Sequence, residues 1–270
     1  MKYILLGLLT LNFLSCASTQ QPSSSLASPD YFVLLPDIQS LDIDPLGNLY
    51  VVDGNDRVTK FDSTGRNVFH IVNNNLGEVH SIDVGNPFKI LMFYRDQQTI
   101  LLLDRTLSEI QRIHLPDWKV SDVTAACLSP DNAIWIFNGT ERTLTKMDDT
   151  GNPILTSNPF DIIRPSAMRP DYIFDTDQHL LLVQEGKPVS LFNDFAQYLR
   201  ELEGVDPNFS LSGNSIIYRK DNRLLTYDIL RSQYLQEINF TQPTSGKINA
   251  FGDSYYSFDT KGIYILDFGF

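Results

Sequence analysis

Two short polar stretches contain the residue types that could bind a metal ion. "DGNDR" (53–57) groups two aspartates and an asparagine, and alternating oxygen donors of this kind can bind Ca²⁺. "DTDQH" (175–179) places Asp175, Asp177 and His179 at a spacing that metal ligands can have. No bidentate glutamate follows the first stretch, and the second falls in a turn between two strand-like runs. We interpret both as polar turns and predict no metal and no other cofactor.

Catalytic patterns are equally sparse. The chain has four histidines, at positions 70, 80, 114 and 179, and they fall in unrelated sequence contexts. There is no G-x-S-x-G nucleophile motif and no clustered cysteine and histidine ligand set. We predict that the protein is not an enzyme, although a site assembled from distant segments would leave no such motif.

The first cysteine lies at the end of an apolar leader. The chain opens "MKYILLGLLTLNFLSC", with Lys2 before an apolar run and Ser15 directly before Cys16. The run is shorter than the ~20 residues needed to cross a bilayer, so it predicts a cleaved signal peptide over 1–15. A small residue followed by cysteine at this point resembles the lipobox of bacterial lipoproteins. The resemblance implies that Cys16 becomes the acylated first residue of the mature chain.

Residues 16–30 then predict a flexible tether, because "ASTQQPSSSLASPD" is rich in Ser, Gln, Ala and Pro and has no charge before Asp30. No acidic run follows Cys16, which favours a lipid-anchored position on the outer membrane of a bacterial envelope, facing the periplasm. The net charge is −12, and it becomes one unit more negative when Lys2 is removed. That charge argues against nucleic-acid binding, and it leaves attachment to the membrane to the lipid. Cys127, in an apolar stretch, is predicted to be a buried, unreactive thiol.

The chain also contains a sequence repeat. "NDRVTKFDSTGR" (55–66) and "ERTLTKMDDTGN" (141–152) share one plan: a short apolar run, then Asp, then turn residues. The same feature recurs every 35–45 residues, about 41 on average. Its Asp or Asn occupies positions 62, 104, 148, 193, 228 and 267. Six regular copies predict six similar structural units between residues 31 and 270.

Each unit reads as four short strands joined by turns. In the first unit, "LDIDPLGNLYVVDGNDRVTKFDSTGRNVFHI", turn residues separate runs of β-branched and aromatic residues. Four strands per 40–50 residues are typical of one blade of a β-propeller. This unit also resembles an NHL repeat, through its Asp-Pro-x-Gly-Asn turn, Asp53, Arg57, the Phe-Asp pair and Gly65. The resemblance implies an all-β, six-bladed β-propeller of the NHL/TolB-like type.

The two ends of the chain predict how the ring closes. The sixth unit stops after its third strand, whereas "YFVLLP" (31–36) is strand-like and precedes the first unit. We predict that this N-terminal strand completes the last blade, which removes an exposed sheet edge.

Candidate binding residues lie in the turns between strands B and C of each blade, and in the loops from strand D to the next strand A. In propellers these connections share one face, and loops on a rigid scaffold often carry function. The longest loop, "NPFDIIRPSAMRPD" (158–171), combines apolar residues with two arginines. The candidate partner-binding residues are Arg57, Tyr94, Trp118, Phe160, Arg164, Met168, Arg169 and Arg223. For Trp118, a lid over the blade core is an equal alternative, and for Arg57 and Arg223 an ion pair within the blade or a solvated turn is favoured.

The predicted function is a non-catalytic, membrane-tethered scaffold or binding subunit of an envelope protein assembly, with protein partners and with the membrane contacted through the lipid. One alternative is a metal-dependent lactonase-like hydrolase or lyase, because some six-bladed relatives have those activities. A further alternative is periplasmic glycan binding, which would need exposed aromatic side chains on the loop face.

Overall fold

The computed structural model describes residues 30–163, 168–176, 178–239 and 247–266. These residues form 24 strands in six four-stranded antiparallel sheets, and the inner strands of neighbouring sheets pack side by side around a ring. The predicted all-β, six-bladed propeller is therefore confirmed. In the described part of the chain, no helix is long and apolar enough to cross a membrane.

The strands are numbered along the chain, and four belong to each blade. Blade 1 contains β2 (Ile38–Ile43), β3 (Leu49–Asp53), β4 (Arg57–Phe61) and β5 (Asn67–Val72). Blade 2 contains β6 (Ser81–Asp83), β7 (Ile90–Tyr94), β8 (Thr99–Leu103) and β9 (Glu109–His114). Blade 3 contains β10 (Val123–Leu128), β11 (Ile134–Asn138), β12 (Thr143–Met147) and β13 (Pro153–Thr156). Blade 4 contains β14 (Tyr172–Asp175), β15 (His179–Val183), β16 (Val189–Asn193) and β17 (Tyr198–Leu202). Blade 5 contains β18 (Phe209–Ser212), β19 (Ser215–Lys220), β20 (Arg223–Asp228) and β21 (Gln233–Asn239). Blade 6 contains β22 (Asn249–Phe251), β23 (Ser254–Phe258), β24 (Gly262–Ile265) and β1 (Tyr31–Leu34).

The N-terminal strand closes the ring as predicted. β1 pairs antiparallel with β24, so that Tyr31 lies opposite Tyr264 and Leu34 lies opposite Gly262. The last blade thus takes its first three strands from the end of the chain and its fourth from the beginning. β1 thus covers the edge that β24 would otherwise expose.

The hydrophobic core lies between adjacent blades. The two middle strands of blade 2, β7 and β8, are buried along their whole length because they contact a blade on each side. The outer strands are mostly exposed, as β21 shows. Cys127 is buried in the core between blades 3 and 4, where burial raises the pKa of its thiol, as expected for an unreactive cysteine.

The repeated Asp or Asn fixes the turn between strands C and D. In blade 1, Asp62 Oδ1 accepts hydrogen bonds from the backbone N–H groups of Thr64 (3.0 Å) and Arg66 (3.1 Å). In blade 3, Asp148 accepts the same pair from Thr150 and Asn152. Asn193 makes the equivalent contacts in blade 4, so the turn needs a side-chain oxygen but not a charge. Position 267 lies outside the described residues.

Side chains on the inner strands also join one blade to the next. Each of these hydrogen bonds connects a polar side chain to a backbone group of the neighbouring inner segment. Asp83 accepts from Leu128 N–H (2.8 Å). In the other three the side chain donates: Thr124 to Pro170 O (2.6 Å), Ser210 to Ile248 O (2.6 Å) and Asn249 to Leu41 O (2.8 Å). The polar residues of the channel wall therefore contribute to the fold.

Candidate functional site

The structure defines two faces of the ring. The loop face carries the turns between strands B and C and the loops from strand D to the next strand A. The turn face carries the A–B and C–D turns. Two short helices, which the sequence analysis did not predict, lie in loop-face connections: a 3₁₀ helix at Leu115–Trp118 and α1 at Phe160–Ile163.

Four residues near the centre of the loop face form a cluster. We call His80, Arg95, Asp171 and Tyr172 the channel-mouth cluster. His80 Nε2 lies 2.9 Å from the backbone oxygen of Asp171, and its ring stacks on Tyr172 with centroids 5.2 Å apart. An Arg95 guanidinium nitrogen lies 3.2 Å from the Asp171 carboxylate. Because these residues come from blades 2 and 4, the cluster bridges over blade 3.

The hydrogen bonds of the cluster define the protonation of His80. Burial is the largest influence on the ring and lowers its pKa, which favours the neutral form at pH 7. A carbonyl oxygen can only accept, so Nε2 carries the proton and Nδ1 carries a lone pair. The site thus has one neutral histidine and one arginine that is paired with a carboxylate.

Inside the channel, a second set of contacts joins three blades. Lys247 Nζ lies 2.6 Å from Asp42, and both side chains are about one-fifth exposed. The same ammonium lies 5.9 Å from the centre of the Phe174 ring. Lys247 enters from blade 6, Asp42 belongs to blade 1 and Phe174 to blade 4, so these side chains narrow the channel below its mouth.

Two further carboxylates of the channel wall, Asp83 and Asp175, accept hydrogen bonds from neighbouring groups. Asp83 accepts from the backbone N–H groups of Gly85 and Leu128, and burial is the main cause of its raised pKa. Asp175 accepts from the Trp135 indole at 3.0 Å. Among the described residues, no three His, Cys, Asp or Glu side chains are placed to share a metal ion. Asp177, one of the possible ligands considered from the sequence, lies outside those residues.

Three predicted partner-binding residues are in the core, which corrects the expectation that they lie on the surface. Phe160 is fully buried between the rings of Phe137 and Phe192, at 5.0 and 5.1 Å. Tyr94 is buried between blades 1 and 2, and Met168 between blades 3 and 4. Their apolar side chains complete the blade interfaces, so a partner on the loop face cannot contact them directly.

The other candidates have different surroundings. Trp118 is partly buried against the core of blades 2 and 3, which favours its role as a lid. Arg223 pairs with Glu237 of its own blade at 2.9 Å, the ion pair favoured from the sequence. Arg169 pairs with Asp122 across two loops, and Arg57 is exposed. Arg164 and Cys16 lie outside the described residues, and their predicted roles stay predictions.

The channel-mouth cluster was not predicted from the sequence. One signal could have located it: His80 and Tyr172 both stand where strand A begins in their units, at the level of the channel mouth. The Asp171 contact to His80 uses a backbone oxygen, and no residue pattern encodes it.

Comparison with solved structures identifies the fold. The WD40 domain of Pan2 from Neurospora crassa matches with a TM-score of 0.58 and 8% identity, over 87% of this chain and 81% of that chain. A streptogramin B lyase matches with a TM-score of 0.54 and 17% identity, over 85% of this chain and 78% of that chain. A catalytically inactive virginiamycin B lyase from Staphylococcus aureus with quinupristin matches with a TM-score of 0.56 and 9% identity, over 87% of this chain and 85% of that chain.

At these identities the likeness shows the propeller fold alone. No family model and no curated protein sequence matches the chain. The NHL type of the repeat therefore stays a prediction.

Proposed function

We propose that this propeller is a lipid-anchored, non-catalytic scaffold or binding subunit of a bacterial outer-membrane protein assembly, and that it contacts its partner through the loop face. The observation that supports partner binding is the connection between blades 3 and 4. It presents Ile162 with 76% of its surface exposed. An exposed apolar side chain on a loop, next to charged groups, is a suitable contact point for a protein partner.

The two residues before Ile162 are held by contacts with the propeller. The neighbouring Phe160 is fully buried, and its backbone N–H donates to the oxygen of Arg142 at 2.8 Å. Asp161 forms an ion pair with Arg142. A partner would therefore meet an apolar side chain that is already held in place, beside charged groups that can form a polar rim.

The test is purification of the full-length, membrane-extracted protein after chemical crosslinking. We expect crosslinks to one envelope protein that map to the loop face, and we expect Ile162→Asp to abolish them. The matched control is Ile110→Asp on the outer strand β9, where Ile110 is 56% exposed. Recovery of the monomer alone, or equal loss of crosslinks with both variants, would contradict the proposal.

A second candidate function is a lyase or hydrolase that acts at the channel mouth. The observation that favours it is His80, whose pKa is lowered by burial and, to a smaller extent, by the charge of Arg95, and whose Nε2 lies 2.9 Å from the backbone oxygen of Asp171. A ring nitrogen in this state can accept a proton from a substrate. Incubation with quinupristin and with a panel of lactones tests this candidate, with His80→Ala as the control. Turnover that is lost in His80→Ala would replace the scaffold proposal.

A further inference from the structure

The turn face carries an exposed apolar side chain from every blade. These residues lie on A–B turns, on C–D turns, or on the strand ends beside them, and their exposed fractions range from 38% to 65%. We call them the apolar rim: Leu46, Phe88, Ile154, Phe195, Leu230 and Ile265. Among the described residues, the loop face presents four such residues, Leu34, Val72, Ile162 and Tyr172, and they come from only three connections, because Ile162 and Tyr172 belong to the same one. A face with an apolar contribution from all six blades indicates a broad contact surface.

The chain enters the propeller on this same face. β1 is antiparallel to β24, and Tyr31 pairs with Tyr264 near the end of β24, whereas Leu34 pairs with Gly262 near its start. The start of β24 follows the B–C turn on the loop face, so its end lies at the turn face. The segment that precedes Tyr31 therefore leaves the ring from the turn face.

The distance from Cys16 to Tyr31 limits how far the propeller can be from an anchor. The 15 intervening peptide steps span at most about 50 Å when fully extended, and about 20 Å as a flexible chain. A lipid on Cys16 would thus hold the turn face, and not the loop face, closest to the bilayer.

We propose that the apolar rim rests on the lipid surface to which the chain is tethered, so that the loop face points away from the membrane. The inference rests on the proposed lipid attachment. Apolar side chains at an interface add to the binding that an acyl anchor provides. The rim therefore supplies a second contact and selects one orientation of the disc.

The turn face carries exposed charges of both signs. Asp131, Asp149, Asp194 and Asp253 are exposed, and so are Arg66, Arg105 and Arg231. Because neither sign dominates, we expect no strong attraction to charged headgroups and no strong repulsion from them, and a zwitterionic surface such as phosphatidylcholine is a suitable probe. Added salt should therefore change binding little.

The test uses the acylated full chain in phosphatidylcholine vesicles with a headgroup spin label that quenches fluorescence. Of the two cysteines in the chain, Cys16 is acylated and Cys127 is buried, so one added surface cysteine can be labelled selectively. We expect dyes at Leu46→Cys and Phe88→Cys to be quenched. Dyes at the loop-face controls Leu34→Cys and Ile162→Cys, which are 77% and 76% exposed as Leu and Ile, should not be quenched.

A second measurement tests whether the rim causes the orientation. With a dye at Phe195→Cys, the double change Leu46→Asp and Phe88→Asp should lower the population that faces the lipid by about tenfold. The matched double change Leu34→Asp and Ile162→Asp should leave it unaltered. All four positions are exposed, so the fold does not depend on them.

The outcomes separate this inference from the proposed attachment. Flotation of the vesicles is measured first. A chain that does not float contradicts the lipid attachment and, with it, the orientation. A chain that floats, but whose dyes are quenched equally on both faces, contradicts the orientation alone. Stronger quenching on the loop face also contradicts it, and would indicate that the loop face is the lipid-binding surface.

Discussion

The Tyr31 hydroxyl donates a 2.7 Å hydrogen bond to the carboxylate of Asp259, and so links the first strand of the chain to the B–C turn of the last blade. This hydrogen bond is the largest cause of the raised pKa of Tyr31, about 12. Val33, two residues further on, is buried in the core between blades 6 and 1. Strand β1 is thus part of the tertiary structure and not only a connection to the tether.

Deletion of residues 31–36 should therefore destabilise the whole propeller. The deletion removes the outer strand of blade 6 and exposes the edge of β24, together with the core around Val33. We expect a fall in melting temperature of roughly 10 °C or more. Deletion of residues 17–22, in the tether, is the control and should melt like the parent. Equal melting of the two deletions would show that the ring does not need β1.

The glycine of the third C–D turn gives a second prediction. Gly151 has a φ of +87°, and a Cβ at this position would lie 2.4 Å from the Trp118 ring. Gly186 has a φ of +71° but open space around it. Gly186→Ala should cost about 1 kcal/mol because of the left-handed backbone alone. Gly151→Ala should cost about 2–4 kcal/mol, because it also displaces Trp118. Urea denaturation measures both, and equal losses would mean that Trp118 does not pack on this turn.

Two buried tyrosines should respond in opposite ways to loss of the hydroxyl. The Tyr94 hydroxyl is buried without a hydrogen-bond partner, and burial is the main cause of its raised pKa, about 12. The Tyr50 hydroxyl donates to Asp44 at 3.1 Å. Tyr94→Phe should leave stability unchanged or raise it by about 1 kcal/mol, whereas Tyr50→Phe should lower it by about 1 kcal/mol. Urea denaturation near pH 7 compares them, and a stability loss in Tyr94→Phe equal to that in Tyr50→Phe would show that the Tyr94 hydroxyl has a partner.

The sequence predicts the fold well because its turn chemistry is local. In the C–D turns of blades 1 to 4, an Asp or Asn side chain accepts from backbone groups two and four residues later, as Asp62 does, and Asp228 of blade 5 accepts from the group three residues later, so a local motif marks these turns. The ring closure follows from counting strands. The site is harder to predict, because burial depends on how distant segments meet. Phe160 lies in a polar loop sequence, yet its ring enters the core between Phe137 and Phe192. The contact of His80 with Asp171 joins positions far apart in sequence through a backbone atom, and no spacing encodes that.

The C–D turns should make stability fall in acid. Hydrogen bonds, first from the Thr64 hydroxyl to Asp62 and from Asn152 N–H to Asp148, lower the pKa of both carboxylates to about 2. The unfolded carboxylates titrate near their ordinary value of 3.8, so this stabilisation is complete above pH 4 and is lost as the pH falls towards 2. The double change Asp62→Asn and Asp148→Asn should make the free energy of unfolding depend less on pH between about pH 4 and pH 2. The turns should still form, since Asn193 already serves in one turn without a charge. Urea denaturation at pH 7, 4 and 2.5 provides the measurement. If the free energy of unfolding falls with pH in the double variant as it does in the parent, Asp62 and Asp148 do not cause the loss of stability in acid.

The last prediction concerns Cys16 and the lipid proposed for it. An acyl anchor holds a protein by burying CH₂ groups, at ~0.8 kcal/mol each, so the mature chain should partition with membranes and resist extraction by salt. With a net charge of −12, the chain has no general electrostatic attraction to an anionic leaflet. Cys16→Ser should therefore release a folded propeller into the soluble fraction, as measured by fractionation and melting temperature. Retention of Cys16→Ser on the membrane would show that another contact, from a protein partner or from the apolar rim, holds it there, whereas a soluble parent protein would contradict the lipid anchor.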